Sequence, residues 1–373
     1  MNFEYTEEQQ QLADSLRRYL ANEYGFDRRK AIIASPEGVS DTAWAAFAEL
    51  GLTAITLPEA DGGFGGGAVD LMAPMEACGE ALVVEPLIET IGLGARLVAR
   101  AGNPVQREKL LRGVAEGSVR LAFASLEPGR RYQLEPQTTT ARVQDGAWLL
   151  EGEKTVVIGA PSAHCLIVSA RTAAGISLFL VPHDAAGLSL SPCRTVDGQR
   201  AADVRLSGVR LPADALLGTD GEAMAHIEEA VDFATALLCA DAVGAMKQAT
   251  DATLDYTKNR KQFGVPISSF QVLQHRMVEM YIGCEQARSM AILAAARVDS
   301  ARDAAERQRA VSMAKVKIAD VARQISQESV QLHGGMGMTE EMKVSHTFRR
   351  LTMIAQQFGD ADHHLDRFAK LDS

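Results

Sequence analysis

Residues 224–258 read MAHIEEAVDFATALLCADAVGAMKQATDATLDYTK, and their apolar side chains recur with the period of a helix. The residues on this face are Met224, Ile227, Val231, Ala234, Leu238 and Val243. Two more long helical patterns follow, one after Pro266 to about Arg297 and one over 303–332. Three consecutive long helices with short loops pack most simply as an antiparallel bundle. The stretch therefore predicts a C-terminal helical bundle.

The start of the second helix has its own signal. Ser268 and Gln271 have the spacing of a capping box, which predicts that the helix begins there. Its predicted apolar face carries Met277, Met280, Tyr281, Cys284, Ala287 and Leu293. A methionine-rich stripe of this kind is typical of a bundle core.

Before the bundle, the sequence pattern changes at about Ser118 from helical periodicity to short strand-like runs. From 118 to 218 the chain has short runs of β-branched and apolar residues separated by turn dipeptides, which predicts strands. Asp145-Gly146 between two such runs is a strong hairpin signal. A central antiparallel β domain follows from this pattern.

The first 117 residues are helical in pattern. Thr6 and Gln9 form a capping-box signature before a helix predicted over 7–24. Further helices are predicted around 41–50, 68–82, 86–101 and 104–116. The glycine-rich loop 57–67 either lets the backbone approach a ligand or is a flexible connection.

These patterns give an α+β fold of three domains. We expect an N-terminal helical domain over 1–117, a central β domain over 118–219 and a C-terminal bundle over 220–373.

Composition excludes several classes of protein. The 38 Lys and Arg against 48 Asp and Glu give a formal charge of −10, which argues against a nucleic-acid binder. We expect no membrane span, because no apolar stretch is long enough. The start of the chain lacks a signal-peptide pattern, which predicts a cytoplasmic protein. Five scattered cysteines predict buried reduced thiols rather than a zinc site or disulfides.

Two segments identify a family. Residues 256–267 read YTKNRKQFGVPI and residues 331–341 read QLHGGMGMTEE, and both resemble signature segments of the acyl-CoA dehydrogenases. Weaker resemblances lie in LPEADGGFGG, FASLEPG and LLEGEKTVV, so the likeness covers nearly the whole chain. It implies an FAD cofactor and α,β-dehydrogenation of an acyl-CoA. In that reaction a carboxylate takes the α-proton while the β-hydrogen leaves as hydride to the flavin.

The resemblance also implies contacts with the FAD of a neighbouring subunit. Arg260 matches an arginine that reaches the FAD pyrophosphate, and the alternative is an exposed cation at a helix end. The alternative for Phe263 is a core position. The positions that match the adenine-side contacts are Gln262, Phe263, Gln331, Gly334 and Gly335.

The catalytic base of the family is missing at both of its usual positions. The helix position aligns with Ala234 and the loop position with Phe358, and neither side chain accepts a proton. Asp360 follows the loop position closely and is the one candidate for a relocated base.

The positions expected around this chain's own flavin ring also differ from the family. Leu126 and residues 131–133 replace a segment that carries hydroxyl groups in the family, and Tyr132 adds bulk there. Residues 156–158 after Lys154 replace a Trp-Ile-Thr sequence.

The positions that contact a neighbour's FAD match the family, whereas the positions around this chain's own flavin differ from it. This contrast suggests a subunit that completes a partner's site. The chain resembles the small subunit of two-component bacterial acyl-CoA dehydrogenases of the pimeloyl-CoA type. This resemblance implies a larger paralogous subunit in a dimer of heterodimers, electron-transfer flavoprotein as acceptor, and a role in β-oxidation of fatty or dicarboxylic acids. The alternatives are a self-sufficient homo-oligomer that uses Asp360 and a non-catalytic acyl-CoA-binding or scaffold protein.

Adjacent His363 and His364, with Asp362 and Asp366 nearby, suggest a metal cluster at first sight. Neighbouring helical residues point about 100° apart, so a polar helix start or an interface is the better interpretation and no metal is expected.

Overall fold

The structure is a computed structural model that describes residues 6–371. Its helices are Glu7–Glu23 (α1), Phe26–Ala34 (α2), Asp41–Glu49 (α3), Ala68–Ala81 (α4), Ala95–Ala101 (α5), Pro104–Ala115 (α6), Met224–Asn259 (α7), Gln271–Ser300 (α8), Ala304–His333 (α9), Lys343–Gln356 (α10) and Ala361–Lys370 (α11). Its strands are Leu121–Ala124 (β1), Thr140–Gln144 (β2), Ala147–Ile158 (β3), Cys165–Arg171 (β4), Ile176–Pro182 (β5), Leu188–Arg194 (β6), Arg200–Leu211 (β7), Leu216–Leu217 (β8), Lys261–Gln262 (β9) and Val265–Pro266 (β10).

This order confirms the predicted fold class of N-terminal helices, a central sheet and a C-terminal bundle. Internal contacts divide the chain into two units. The helical unit contains residues up to 29, 68–83 and 235 onward, and the sheet unit contains 30–67 and 84–234. The predicted three-domain boundaries stay a prediction.

The sheet unit is built on eight strands in the order β6-β7-β3-β2-β4-β5-β8, with β1 paired to β4. The pairing is antiparallel except that β1 and the end of β2 run parallel to β4. The predicted hairpin is confirmed, since Asp145 and Gly146 connect β2 and β3 with φ of 49° and 75°. The Trp148 ring packs against Phe179 at 5.0 Å in the buried face of the sheet.

The helical unit contains a very close helix crossing. A Cβ on Gly79 of α4 would lie 1.9 Å from the carbonyl oxygen of Asp241 on α7. A Cβ on Gly244 would lie equally close, at 1.9 Å, to the carbonyl oxygen of Glu76. Only glycine lets the two backbones approach this far, so these two positions determine how α4 packs on α7.

Most predicted helix boundaries hold, with three differences. Thr6 caps α1 through the predicted capping box, whereas α2 and α10 are not among the predicted helices. The predicted helix 86–101 begins as a π-helix over Ile88–Gly94 before α5. The predicted capping box at Ser268 and Gln271 is wrong, because a 3-10 turn over Ile267–Ser269 delays the start of α8 and leaves Phe270 as its N-cap.

Four of the five cysteines are buried as predicted, but Cys193 is exposed because it lies on the edge strand β6. None of the helices described between residues 6 and 371 is long and apolar enough to cross a membrane.

Candidate cofactor-contact surface and active-site positions

The segment after α7 forms a short exposed hairpin. The amide of Ile267 donates to the carbonyl of Arg260 at 2.8 Å, which closes the hairpin of β9 and β10. Phe263 and Gly264 form its two-residue loop with φ of 55° and 84°, and Phe263 is 92% exposed. The alternative of a core position for Phe263 is therefore wrong. Arg260 and Gln262 are exposed as well.

The segment after α9 is a 3-10 turn over Gly334–Met338. Gln331, Gly334 and Gly335 are exposed, and a Cβ on either glycine would meet no atom within 4 Å. Gly334 has a φ of 61°, which favours glycine by itself, but Gly335 does not have a positive φ. Nothing in the backbone or the packing of residues 6–371 thus requires a glycine at position 335.

One ring contact brings these two segments together. The Tyr256 ring near the end of α7 stacks on the His333 ring at the end of α9, with centroids 4.4 Å apart. Burial lowers the pKa of His333, whose Nδ1 lies 2.7 Å from the carbonyl oxygen of Ser329. We call the exposed residues beside this contact the hairpin–turn surface; they are Arg260, Gln262, Phe263, Gln331, Gly334 and Gly335.

The segments predicted to face this chain's own flavin lie side by side in the sheet unit. The Thr155 amide donates to the Leu126 carbonyl at 2.9 Å. Val156 has a φ of 49° at a bulge in β3, an unfavourable conformation for a β-branched residue. Its amide donates to Asp203 Oδ1 at 2.9 Å, which holds this strained residue in place. Strain of this kind is concentrated at functional sites.

A buried ion pair lies beneath the two segments. Glu127 accepts hydrogen bonds from the amides of Gln137, Thr138 and Thr139 at 2.8–3.0 Å. Its Oε1 also lies 3.5 Å from Nζ of Lys154, and both side chains are at most 2% exposed. Lys154 in turn donates to the Ser125 carbonyl at 3.0 Å.

Burial and hydrogen bonding shift both groups of this pair. Burial raises the pKa of Glu127, but the three amide donors outweigh it and lower the pKa to about 2. Burial lowers the pKa of Lys154 to about 8 despite the attraction of Glu127. This pair is not among the residues predicted from the sequence, although a lysine within the alternating apolar pattern of β3 was the available signal.

The two expected base positions hold groups without proton affinity. Ala234 is fully buried within α7. Phe358 occupies a tight turn with a φ of 60°, and Gly359 follows with a φ of 120°. Lys315 Nζ donates to the Gly359 carbonyl at 2.6 Å, and His364 Nε2 lies 3.2 Å from the Phe358 carbonyl oxygen. The turn is thus held from α9 and α11.

Asp360, the candidate relocated base, is the N-cap of α11. Its Oδ1 accepts a hydrogen bond from the His363 amide at 2.9 Å. The two histidines lie at this helix start as predicted, and the His364 Nδ1 lies 3.2 Å from Ser312 Oγ. Within residues 6–371, no group of three His, Cys, Asp or Glu side chains could hold a metal ion.

Family models match nearly the whole chain. The acyl-CoA dehydrogenase N-terminal, middle and C-terminal domains match residues 6–118, 122–209 and 223–370. The chain belongs to the acyl-CoA dehydrogenase family. Members of this family are FAD-dependent oxidoreductases that act on CH–CH groups of acyl-CoA thioesters.

Similar proteins agree with this assignment. The acyl-CoA dehydrogenase FadE12 of Mycobacterium tuberculosis is 33% identical, with 95% of this chain and 93% of FadE12 covered. The probable acyl-CoA dehydrogenase YngJ of Bacillus subtilis is 30% identical, with 98% of each chain covered. A solved variant of the Tcur3481-Tcur3483 steroid ACAD is 30% identical with a TM-score of 0.89, and 98% of each chain is covered.

We expect the Glu127–Lys154 pair to contribute to the stability of this acyl-CoA dehydrogenase. We expect Glu127→Gln to lower the free energy of unfolding by about 3–5 kcal/mol, since it leaves a buried ammonium without its counter-charge. The control is Glu153→Gln, at the residue before Lys154. The Glu153 side chain is 56% exposed, and its carboxylate lies 3.8 Å from Arg205 Nε. This variant should cost less than about 0.5 kcal/mol in urea unfolding. Equal effects of the two variants would contradict this role.

Proposed function

We propose that this chain is one subunit of a heteromeric FAD-dependent acyl-CoA dehydrogenase. Its hairpin–turn surface completes the FAD site of a larger paralogous subunit, and that subunit supplies the catalytic base. The observation that carries the proposal is the exposure of all six residues of this surface beside the contact of Tyr256 with His333. Side chains that bind a cofactor of a neighbouring subunit must face outward.

The chemistry of this surface fits the pyrophosphate and adenine half of FAD. Arg260 offers a planar, permanently charged group that forms paired hydrogen bonds with phosphate oxygens. The space beside Gly335 would let a planar ring or a phosphate reach the backbone closely. Phe263, nearly fully exposed, offers an aromatic face to the same ligand.

The absence of a base at Ala234 and Phe358 supports dependence on a partner. Bound FAD supplies the acceptor for the substrate hydride. Removal of the α-proton needs a carboxylate, and this chain has an alkyl and an aromatic group at the two positions where the family places it. Its own residues would therefore bind and orient the cofactor of the partner, while proton transfer takes place in the partner.

The alternative of a self-sufficient homo-oligomer needs Asp360 as the base. The carboxylate of Asp360 already accepts from the backbone at the start of α11, which favours a structural role. The alternative of a non-catalytic acyl-CoA-binding or scaffold protein leaves the exposed Arg260 and the open glycine turn without a purpose.

The partner and the substrate of the complex follow as narrower proposals. The steroid ACAD carries two protein names, which fits a two-component enzyme, and it makes a polycyclic acyl-CoA a suitable first substrate to assay. Electron-transfer flavoprotein is the proposed acceptor. The predicted cytoplasmic location stays a prediction.

The proposal is tested by the ratio of FAD to protein, measured from visible absorbance. Purified alone, the chain should hold little FAD, whereas co-purification with the larger paralogous chain should give one FAD for each pair of chains. One FAD for each chain in the protein purified alone would favour the self-sufficient enzyme. An absence of flavin in both preparations would favour the scaffold.

Arg260→Ala should weaken FAD binding by the assembled complex about 10- to 100-fold, because a hydrogen bond to a charged group contributes about 1.5–3 kcal/mol. Equilibrium titration with FAD measures this change. Arg302→Ala, at a side chain that is 90% exposed and lies outside the hairpin–turn surface, is the control and should bind FAD normally. An unchanged affinity in Arg260→Ala would remove this residue from the FAD site.

Asp360→Asn separates a catalytic from a capping role. Asparagine caps a helix about as well as aspartate, so the fold should persist while the proton acceptor is lost. We expect full turnover of the assembled complex in an acyl-CoA oxidation assay. Loss of turnover in a variant of normal thermal stability would instead identify Asp360 as the base.

A further inference from the structure

His346 lies buried on α10 between two charged groups of the helical unit. Its side chain is 8% exposed. The Nδ1 atom lies 3.0 Å from Nη1 of Arg29, a residue of α2. The Nε2 atom lies 3.2 Å from the carboxylate Oε2 and 3.3 Å from the carbonyl oxygen of Glu340. One imidazole therefore connects segments that are far apart in the sequence.

These contacts determine the protonation state of the ring. A guanidinium only donates hydrogen bonds, so Nδ1 of His346 must accept from Arg29 and carries no proton. The carboxylate and carbonyl of Glu340 only accept, so Nε2 must carry the proton. Only the neutral imidazole with its proton on Nε2 satisfies both partners.

The partners of His346 are themselves held in place. Arg29 is 1% exposed, and its Nε donates to the carbonyl of Leu82 at 2.5 Å. Phe26 packs edge-on against the imidazole, with centroids 4.9 Å apart. Arg349 donates to Glu340 Oε2 at 2.9 Å. The ring consequently has little room to find other partners.

Glu340 links this contact to the hairpin–turn surface. It lies two residues after Met338, where the 3-10 turn with Gly334 and Gly335 ends. A second anchor is nearby, since Ser345 Oγ donates to the Thr339 carbonyl at 2.7 Å. The N-terminal end of α10 thus fastens the segment that leaves the turn.

We propose that His346 is a positioning residue that connects the FAD-contact turn to α2 through Glu340 and Arg29, and that its protonation breaks this connection at Arg29 and lowers FAD affinity. This inference rests on the proposed function, because it adds regulation by pH to the same surface. A proton on Nδ1 would place two donors face to face at Arg29 and break that hydrogen bond. The bond from Nε2 to Glu340 would remain, so the segment after the turn would stay bonded to the ring but lose its connection to Arg29 and α2.

The electrostatic surroundings favour the neutral ring at pH 7. Burial lowers the pKa of His346 most, followed by the positive charges of Arg349 and Arg29, while Glu340 opposes them. Lys343, also on α10, is bonded to the Glu80 carbonyl at 2.6 Å. Since the folded-state pKa is depressed, the stabilising effect of the neutral ring is present above the ordinary value of 6.5 and is lost as the pH falls below it.

The test is FAD affinity of the assembled complex between about pH 8 and about pH 5.5, the range in which imidazoles titrate. In the natural chain, FAD affinity should fall about tenfold from about pH 8 to about pH 5.5. In His346→Leu, FAD affinity should be about tenfold lower than that of the natural chain at pH 8, and it should stay low at every pH. His346→Gln keeps one donor and one acceptor, so it should bind FAD well without this pH dependence. The exposed His183→Leu is the control and should keep the natural profile. A natural affinity and profile in His346→Leu would overturn the proposal.

Hydrogen exchange in the full-length chain gives a readout that needs no FAD. Amides of residues 336–342 should exchange faster in His346→Leu than in the natural chain, and protection should return in His346→Gln. Unchanged exchange in His346→Leu would overturn the proposal. If exchange responds as expected but Arg260→Ala leaves FAD affinity unchanged, the proposed function fails while the coupling of His346 to the turn stands.

Discussion

A buried cation must have a fixed partner, and this constraint shapes both units of the chain. Lys154, Lys315, Arg29 and Arg350 are all at most 5% exposed. Removing an ammonium or a guanidinium from water costs several kcal/mol unless acceptors replace the lost hydration. The acceptors come from distant segments: Glu127, the carbonyl of Gly359, His346 and Asp241. Three of these contacts also fix a turn or strand at a position of functional interest, so the folding of the chain and the shape of its sites depend on the same polar contacts.

The positions expected around the flavin and the base keep a defined backbone shape, although their side chains lack the expected chemistry. The Phe358 turn is held from two helices by Lys315 and His364, although its side chain cannot accept a proton. Val156, at the bulge in β3, likewise has an unfavourable φ of 49°. The hairpin–turn surface, in contrast, exposes a cation, an aromatic ring and two open glycines. The backbone thus has a defined shape at the Phe358 turn and at the Val156 bulge. Groups suited to bind FAD are instead concentrated on the exposed hairpin–turn surface. This division is the physical basis of the proposal that the chain completes the site of another subunit.

Much of the fold could be predicted because its signals are local. The Asp145-Gly146 turn and the Thr6 capping box act within four residues, and both appear as predicted. The failures have physical reasons as well. Ser268 has the spacing of a cap, but the 3-10 turn before α8 leaves it two residues before the actual N-cap, Phe270. Asp360 stays an alternative base, but the sequence did not show that its carboxylate also caps the start of α11. Sequence spacing shows which residues could cap a helix or act as a base. The conformation of the neighbouring backbone decides which of these roles they take.

The sequence by itself determined the order of helices and strands, the family and the six residues expected at the FAD of a neighbour. Helical period, turn chemistry and signature segments all act over short distances, so they can be read without knowing the fold. Only the tertiary structure decided that Tyr256 meets His333, that Glu127 pairs with Lys154, and that Arg29 reaches His346 across 317 residues. Pairing of buried charges depends on which distant segments meet when water is excluded. No local pattern contains that information.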